Sequence, residues 1–253
     1  MKIAAVVQAR MSSTRLPGKV LKELPYGSGI TVLQQVIRRL SKSKKLDDII
    51  IATTMDKTDD EIVRLCEKEN IKWFRGSVDD VLERYYLAAK DNGLDVVVRV
   101  TSDCPCVDAE IADSLIQEHI SVCADFLSNA SLTYPHGLEM EIWNFGLLEQ
   151  VHRKAKDSTD REQVSDYIYR KKPQGFKIQT VRAPKKLTAP QIRITLDTEE
   201  DYTLLCAVFD YLYSTNEFFV TKDVIKLFGE KPWLKAINKN TVDHTIDTLK
   251  ACS

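Results

Sequence analysis

The chain has 253 residues, 43% hydrophobic and 29% charged, and its 36 basic and 37 acidic side chains leave a formal net charge of -1. That composition excludes wholesale disorder, and the charge balance gives no electrostatic reason to expect a nucleic-acid backbone or an anionic membrane surface as the main partner. No stretch reaches the roughly 18 consecutive apolar residues of a spanning helix, and the opening Met1 to Val7 run is too short for an export signal, so a cytoplasmic location without a membrane partner is expected.

In chain order, Lys2 to Ala9 reads as a buried strand, Thr31 to Leu40 as a helix with Val32, Val36, Ile37 and Leu40 on one stripe, and Ile49 to Thr53 as the next strand. Asp59 to Glu69 reads as a helix, Lys72 to Arg75 as a short strand, and Val81 to Lys90 as a helix opened by Ser77 or Asp79. Asp95 to Val100, with three consecutive valines, predicts a central strand. A helix over Ala109 to Ile120, a strand over Asp125 to Ser128 and a turn at Tyr134-Pro135-His136-Gly137 follow. Glu139 to Trp143 reads as a strand with a polar face, followed by two helices up to Tyr169, and then by strands over Lys177 to Val181 and Ile192 to Leu196. The end reads as a helix over Glu200 to Tyr213 and a Thr221-capped helix. Strands alternating with helices specify a parallel sheet wrapped by helices. The expected organisation is one domain over residues 1–238, with a subregion at about 130–190, and a polar, partly disordered tail over 239–253. The scattered cysteines form no Cys-x-x-Cys pair, so reduced thiols are expected.

The chemistry concentrates at strand ends, where ligands bind in open α/β sheets. The loop after the first strand, Gln8 to Lys19, holds the cations Arg10, Arg15 and Lys19 and the hydroxyls of Ser12, Ser13 and Thr14. It suits a polyanionic phosphate, yet it is neither a P-loop nor a dinucleotide fingerprint. As loop residues, Arg10 and Lys19 are expected to carry little folding energy. Asp103 follows the valine strand, and Asp197 ends the Ile192 to Leu196 run. Two carboxylates beside a triphosphate loop are suited to magnesium; an Asx turn before Pro105 and an N-cap at Asp197 or Thr198 are the structural alternatives. The two are expected to meet at one edge, delivered by neighbouring parallel strands. His136 stands in an exposed turn, and Glu139 and Glu141 fall on one strand face, where they would either contact acceptor hydroxyls or simply face solvent. Arg161 and Arg193 have the fork that recognises a carboxylate, with ordinary ion pairing as the alternative.

Residues 10–19, Arg-Met-Ser-Ser-Thr-Arg-Leu-Pro-Gly-Lys, resemble the N-terminal motif of the nucleotide-sugar-forming cytidylyltransferases, which include the CMP-keto-deoxyoctulosonate and CMP-acylneuraminate synthetases. The likeness is greatest to the spore coat polysaccharide biosynthesis protein F branch. It continues through Phe74 to Tyr85, Arg99 to Pro105, Tyr134 to Glu141 and Leu196 to Asp201. The resemblance implies a Rossmann-like (GT-A-like) three-layer α/β/α nucleotidyltransferase fold with a mostly parallel sheet and an inserted dimerisation or acceptor subregion. It implies transfer of CMP from CTP to an acidic sugar with release of pyrophosphate, for surface glycan synthesis, by a homodimer. Arg10 and Lys19 would hold the phosphates and act with Asp103 in catalysis, and Asp103 and Asp197 would hold Mg²⁺. Ala9, Arg10, Met11, Ser12, Ser13, Arg15, Lys19, Arg75, Ser77 and Asp79 would bind the nucleotide, and His136, Glu139, Glu141, Arg161 and Arg193 the acceptor. The rival readings are a glycosyltransferase of related fold, for which the usual Asp-x-Asp motif is missing from the chain, and a nucleotide-binding protein without turnover.

Overall fold

The computed structural model describes residues 1–241. The strands are β1 (Ile3–Gln8), β2 (Asp48–Thr54), β3 (Lys72–Gly76), β4 (Val96–Thr101), β5 (Phe126–Ser128), β6 (Glu141–Asn144) and β7 (Ile178–Thr180). The helices are α1 (Val32–Leu40), α2 (Asp60–Lys68), α3 (Val81–Asp91), α4 (Ala109–Ser121), α5 (Phe145–Lys154), α6 (Ser158–Gln163), α7 (Asp166–Lys171), α8 (Glu199–Leu212) and α9 (Thr221–Glu230). All seven strands join one sheet in the order β3-β2-β1-β4-β6-β5-β7. β6 runs antiparallel to both its neighbours and the remaining pairings are parallel.

Strand residues alternate between two apolar cores. Ala5, Val7, Ile51, Val98 and Val100 pack under α1, α2, α4, α8 and α9, while Ala4, Val6, Ile50, Ala52 and Val97 pack under α3, α5 and α7. This is the three-layer arrangement of a doubly covered parallel sheet. Each fully buried aliphatic side chain contributes roughly 1.5–3 kcal/mol. β4 is the middle strand of the sheet, as its valine run required. The segment 130–190 supplies β6 and β7 to that same sheet.

Several local expectations are corrected. Ile192 to Leu196 is not a strand of the sheet; it is an extended segment joined to the 134–137 turn by a single bridge, His136 to Arg193. Gly137 makes this docking feasible: its φ is +105°, and a Cβ there would lie 2.8 Å from the Ile194 carbonyl carbon and the Thr195 nitrogen. The cap of α3 is Asp80, which accepts from Glu83 N–H, and Ser77 Oγ accepts from Asp80 N–H one turn earlier. Thr221 is the first residue of α9, and its hydroxyl donates to the buried Asp108. Three helices, not two, follow β6, and Glu139 precedes that strand. Asn238 is buried and donates to Asp201 and to the Arg193 carbonyl, so the folded body extends to it; the expectation of a partly disordered tail falls, from residue 242 on, outside the described residues.

Candidate active site

Between β1 and β4 the order of connection reverses, the position at which α/β sheets open a crevice for ligands. The loops leaving both strands carry the charged residues singled out above. After β1, Ala9 is still held by β2 through its N–H to the Ala52 carbonyl, and Met11 N–H donates to Asp59 at 2.7 Å. Ser13 and Gly18 N–H groups both return to the Met11 carbonyl, folding the loop back on itself. Gly18, at φ +69°, turns the chain into a short helix at Lys19–Leu21.

That turn aims Lys19 inward. Its Nζ donates to Asp103 Oδ2 at 2.7 Å, to Asp197 Oδ1 at 2.9 Å and to the Leu196 carbonyl at 2.7 Å. The two aspartates, far apart in sequence, thus share one cation. Burial opposes the charge on both partners, but each overcomes it: the carboxylates lift Lys19 above its ordinary value, and Lys19 holds Asp103 below the usual carboxylate range. Delivery differs from expectation, because Asp197 arrives on the extended segment, which the Leu196 N–H pins to the Asp103 carbonyl at 2.8 Å. Asp197 also receives Arg15 and Arg193, each at 2.8 Å. Thr198 caps α8 in a capping box with Asp201, which leaves the Asp197 carboxylate to the site.

Asp201 is a residue that the sequence reading missed. Fully buried, it accepts from the Asp197 and Thr198 N–H groups, from Arg193 and from Asn238. Its position three residues past a threonine cap is a local signal, and the capping box alone accounts for it. Arg99 lies inside the valine strand β4, where nothing local marks it as a site residue. It pairs with the buried Glu141 at 3.1 Å, and Glu141 also accepts from the Tyr169 hydroxyl at 3.2 Å. Burial and then Glu141 push the Tyr169 phenol well up.

The other expected site residues divide. Ser12 and Arg15 are exposed, Arg10, Met11 and Ser13 are half-buried at the mouth, and Arg10 makes no ion pair among the described residues. Arg75 is committed to holding the β2–α2 loop through the Thr54 and Asp56 carbonyls and Asp60, while Asp79 is exposed beside half-buried Ser77. His136 is half-buried, not exposed, and lies 4.0 Å from Glu139, which accepts from Gly137 N–H. Arg193 belongs to the Asp197 and Asp201 cluster. Arg161 is not brought to that cluster: it sits against α3, donating to Asp80 and to the His152 carbonyl.

A basic loop and paired carboxylates at the switch point of such a sheet define a nucleotidyltransferase class of site. The cytidylyltransferase family model matches residues 4–231, and the chain belongs to that family. It is 37% identical over 212 residues to the spore coat polysaccharide biosynthesis protein SpsF of Bacillus subtilis, covering 82% of this chain and 86% of that one. It is 33% identical over 141 residues to a 3-deoxy-manno-octulosonate cytidylyltransferase of Bdellovibrio bacteriovorus, covering 55% and 53% of the two chains. A solved cytidylyltransferase structure from Leptospira borgpetersenii superposes with a TM-score of 0.86 at 32% identity, covering 96% of this chain and 100% of that one. The protein is an enzyme of the nucleotidyltransferase class.

Proposed function

We propose that the enzyme transfers CMP from CTP to a hydroxyl of an acidic sugar, releasing pyrophosphate for glycan synthesis, with one Mg²⁺ held by Asp103 and Asp197. The observation that carries this reading is the Lys19 ammonium bound by both carboxylates at the switch point, which makes the pair a built cation receptor opening on a basic loop. The donor set fits Mg²⁺: two carboxylates would leave positions for phosphate oxygens and water. When bound, the ion neutralises charge on the triphosphate and the departing pyrophosphate. The acceptor oxygen forms a bond to the α-phosphorus, the bond from that phosphorus to the β-phosphate oxygen breaks, and the hydroxyl proton is released. Lys19 exchanges carboxylate for phosphate oxygens, and Arg10 and Arg15 hold the outer phosphates, so the chain acts by positioning and by preorganised charge. The acidic acceptor is supported by the octulosonate cytidylyltransferase relative.

Incubating the protein with each of the four nucleoside triphosphates, Mg²⁺ and a panel of sugar acids, and measuring pyrophosphate, tests this. Release that requires CTP and a sugar acid together is the expected result; nucleoside diphosphate released from a sugar nucleotide contradicts it. The reading includes a cytoplasmic homodimer joined through residues 134–169, for which light scattering that shows a monomer at working concentration would be decisive. No helix among the described residues is long and apolar enough to cross a membrane.

A further inference from the structure

The segment that carries Asp197 runs from Arg193 to Asp201, and one side chain from outside it holds both ends. Asn238 is buried, and its Nδ2 donates to the Arg193 carbonyl at 3.2 Å and to Asp201 Oδ1 at 2.8 Å. Both N–H groups of the amide thus meet acceptors, and a turned-over amide would set its oxygen against a carbonyl and a carboxylate, so the orientation is fixed. Asn238 reaches this place because the short helix Pro232–Ala236 before it buries Leu234 in the core that α8 and α9 cover. The same segment meets the α8 cap a second time, with Thr241 Oγ1 lying 3.4 Å from Thr198 Oγ1. These contacts come from beyond residue 231, where the match to the cytidylyltransferase family model ends.

Asp201 passes this hold on to Asp197. Its Oδ2 accepts from the Asp197 and Thr198 N–H groups at 3.0 and 3.1 Å, and Arg193 lays Nε on Oδ1 at 3.1 Å and Nη2 on Oδ2 at 3.2 Å. The same Nη2 reaches Asp197 Oδ2 at 2.8 Å, while Asp197 Oδ1 takes Lys19 and Arg15. The two oxygens of Asp197 are therefore divided, one tied back to Arg193 and one turned to the cation site. We propose that Asn238 is a positioning residue for Asp197: by joining the two ends of the 193–201 segment it acts as a brace that fixes which carboxylate oxygen faces the Lys19 ammonium. A neutral amide suits this task, because it satisfies Asp201 without adding a charge that would compete with Arg193. The proposal rests on the reading of Asp103 and Asp197 as the magnesium carboxylates, but it concerns a residue that reaches Asp197 through Asp201 and Arg193.

Asn238→Ala removes both bonds, and Asn238→Asp, with nearly the same shape, sets a carboxylate against the Arg193 carbonyl and Asp201. Val224→Ala shortens a buried core side chain of α9 that is no part of the brace. Mn²⁺ binding to the full chain, followed by loss of the free-ion paramagnetic signal with and without CTP, is read together with hydrogen exchange of the peptide holding Asp197 and Thr198, well below the lowest melting temperature. Asn238→Ala is expected to bind Mn²⁺ about tenfold more weakly and Asn238→Asp more weakly still, the scale of losing a partner behind a metal ligand. In both, the Asp197 and Thr198 amides are expected to exchange about tenfold faster. Val224→Ala is expected to melt lower and yet to hold Mn²⁺ within about twofold of the parent. The same loss of Mn²⁺ binding in Val224→Ala, or unchanged exchange in Asn238→Ala, overturns the proposal. If the parent binds no Mn²⁺ while Asn238→Ala speeds exchange at Asp197 and Thr198, the magnesium reading falls and the brace stands; if the parent and Asn238→Ala bind Mn²⁺ equally, the positioning role falls and the magnesium reading stands.

Discussion

Lys19 Nζ supplies three hydrogen bonds to Asp103, Asp197 and the Leu196 carbonyl, so its removal leaves Asp103 without its cation in a largely buried setting, while Asp197 keeps Arg15 and Arg193. Its loop position had suggested a residue that costs little to replace, but 9% exposure places it with the core. Lys19→Met is predicted to lose on the order of 3 kcal/mol, the scale of a buried pair stripped of one partner, and to recover more of it on adding Mg²⁺ than the parent gains, because no ammonium competes with the ion; thermal melts with and without Mg²⁺ read both effects. His119 gives a second test at this scale. Its Nε2 donates to Asn144 Oδ1 at 2.9 Å, since the Asn144 amide nitrogen is already donating to Ala124 and Asp125, and Nδ1 is buried without a partner. Burial holds its basicity below the ordinary value of 6.5, and burial with the neighbouring Arg161 does the same for His152. A depressed histidine leaves stability complete above about 6.5 and lowers it as pH falls from there through the folded value. His119→Gln should therefore flatten the fall in melting temperature between about pH 7 and pH 5; an identical slope in parent and variant would refute the role given to this ring.

The 134–137 turn and the 192–196 segment act as one element although neither is a strand of the sheet. His136 N–H donates to the Ile192 carbonyl and Ile194 N–H to the His136 carbonyl, each at 2.8 Å, and Asp201 collects the backbone N–H groups of Asp197 and Thr198 just beyond. Gly137→Ala would demand both an unfavourable φ and a backbone shift, at a cost of about 2 kcal/mol or more, and should reduce turnover by displacing Asp197. A circular-dichroism melt paired with an activity assay checks it; normal values for both would show that this docking does not position the site. The same element marks where the sequence stopped being legible. Val96 to Val100 announced β4, and the stripe of Val32, Val36, Ile37 and Leu40 announced α1, because periodicity is local. Ile192 to Leu196 has the apolar content of a strand, but it spends its hydrogen bonds on the turn and on the Asp103 carbonyl, a long-range choice that no local pattern records. The meeting of Asp103 with Asp197 was readable from their places at the ends of apolar runs.

On the scale of the whole molecule, one apolar core holds Cys66 and Cys106, Cys104 is buried beside Thr101 and Thr195, Cys123 is exposed and Cys206 is partly buried. Burial pushes the thiols of Cys66 and Cys106 up to about 12. Among the cysteines of the described residues, an aromatic disulfide reagent at mildly alkaline pH should label Cys123 first, and Cys66, Cys104 and Cys106 only at the rate of global opening; rapid labelling of those three in the native chain would contradict the packing described. The charged residues are concentrated at the strand ends of β1 and β4, and the function proposed for this edge is transfer of a cytidylyl group. Supplying CTP labelled with radiophosphorus at either the α or the γ position, with Mg²⁺ and a sugar acid, follows the atoms directly. The α label is expected to enter a sugar conjugate and the γ label to leave as pyrophosphate, and Asp103→Asn and Asp197→Asn are expected to stop both; α label recovered only as free nucleotide, or a conjugate formed equally well by the two variants, would overturn the proposed transfer.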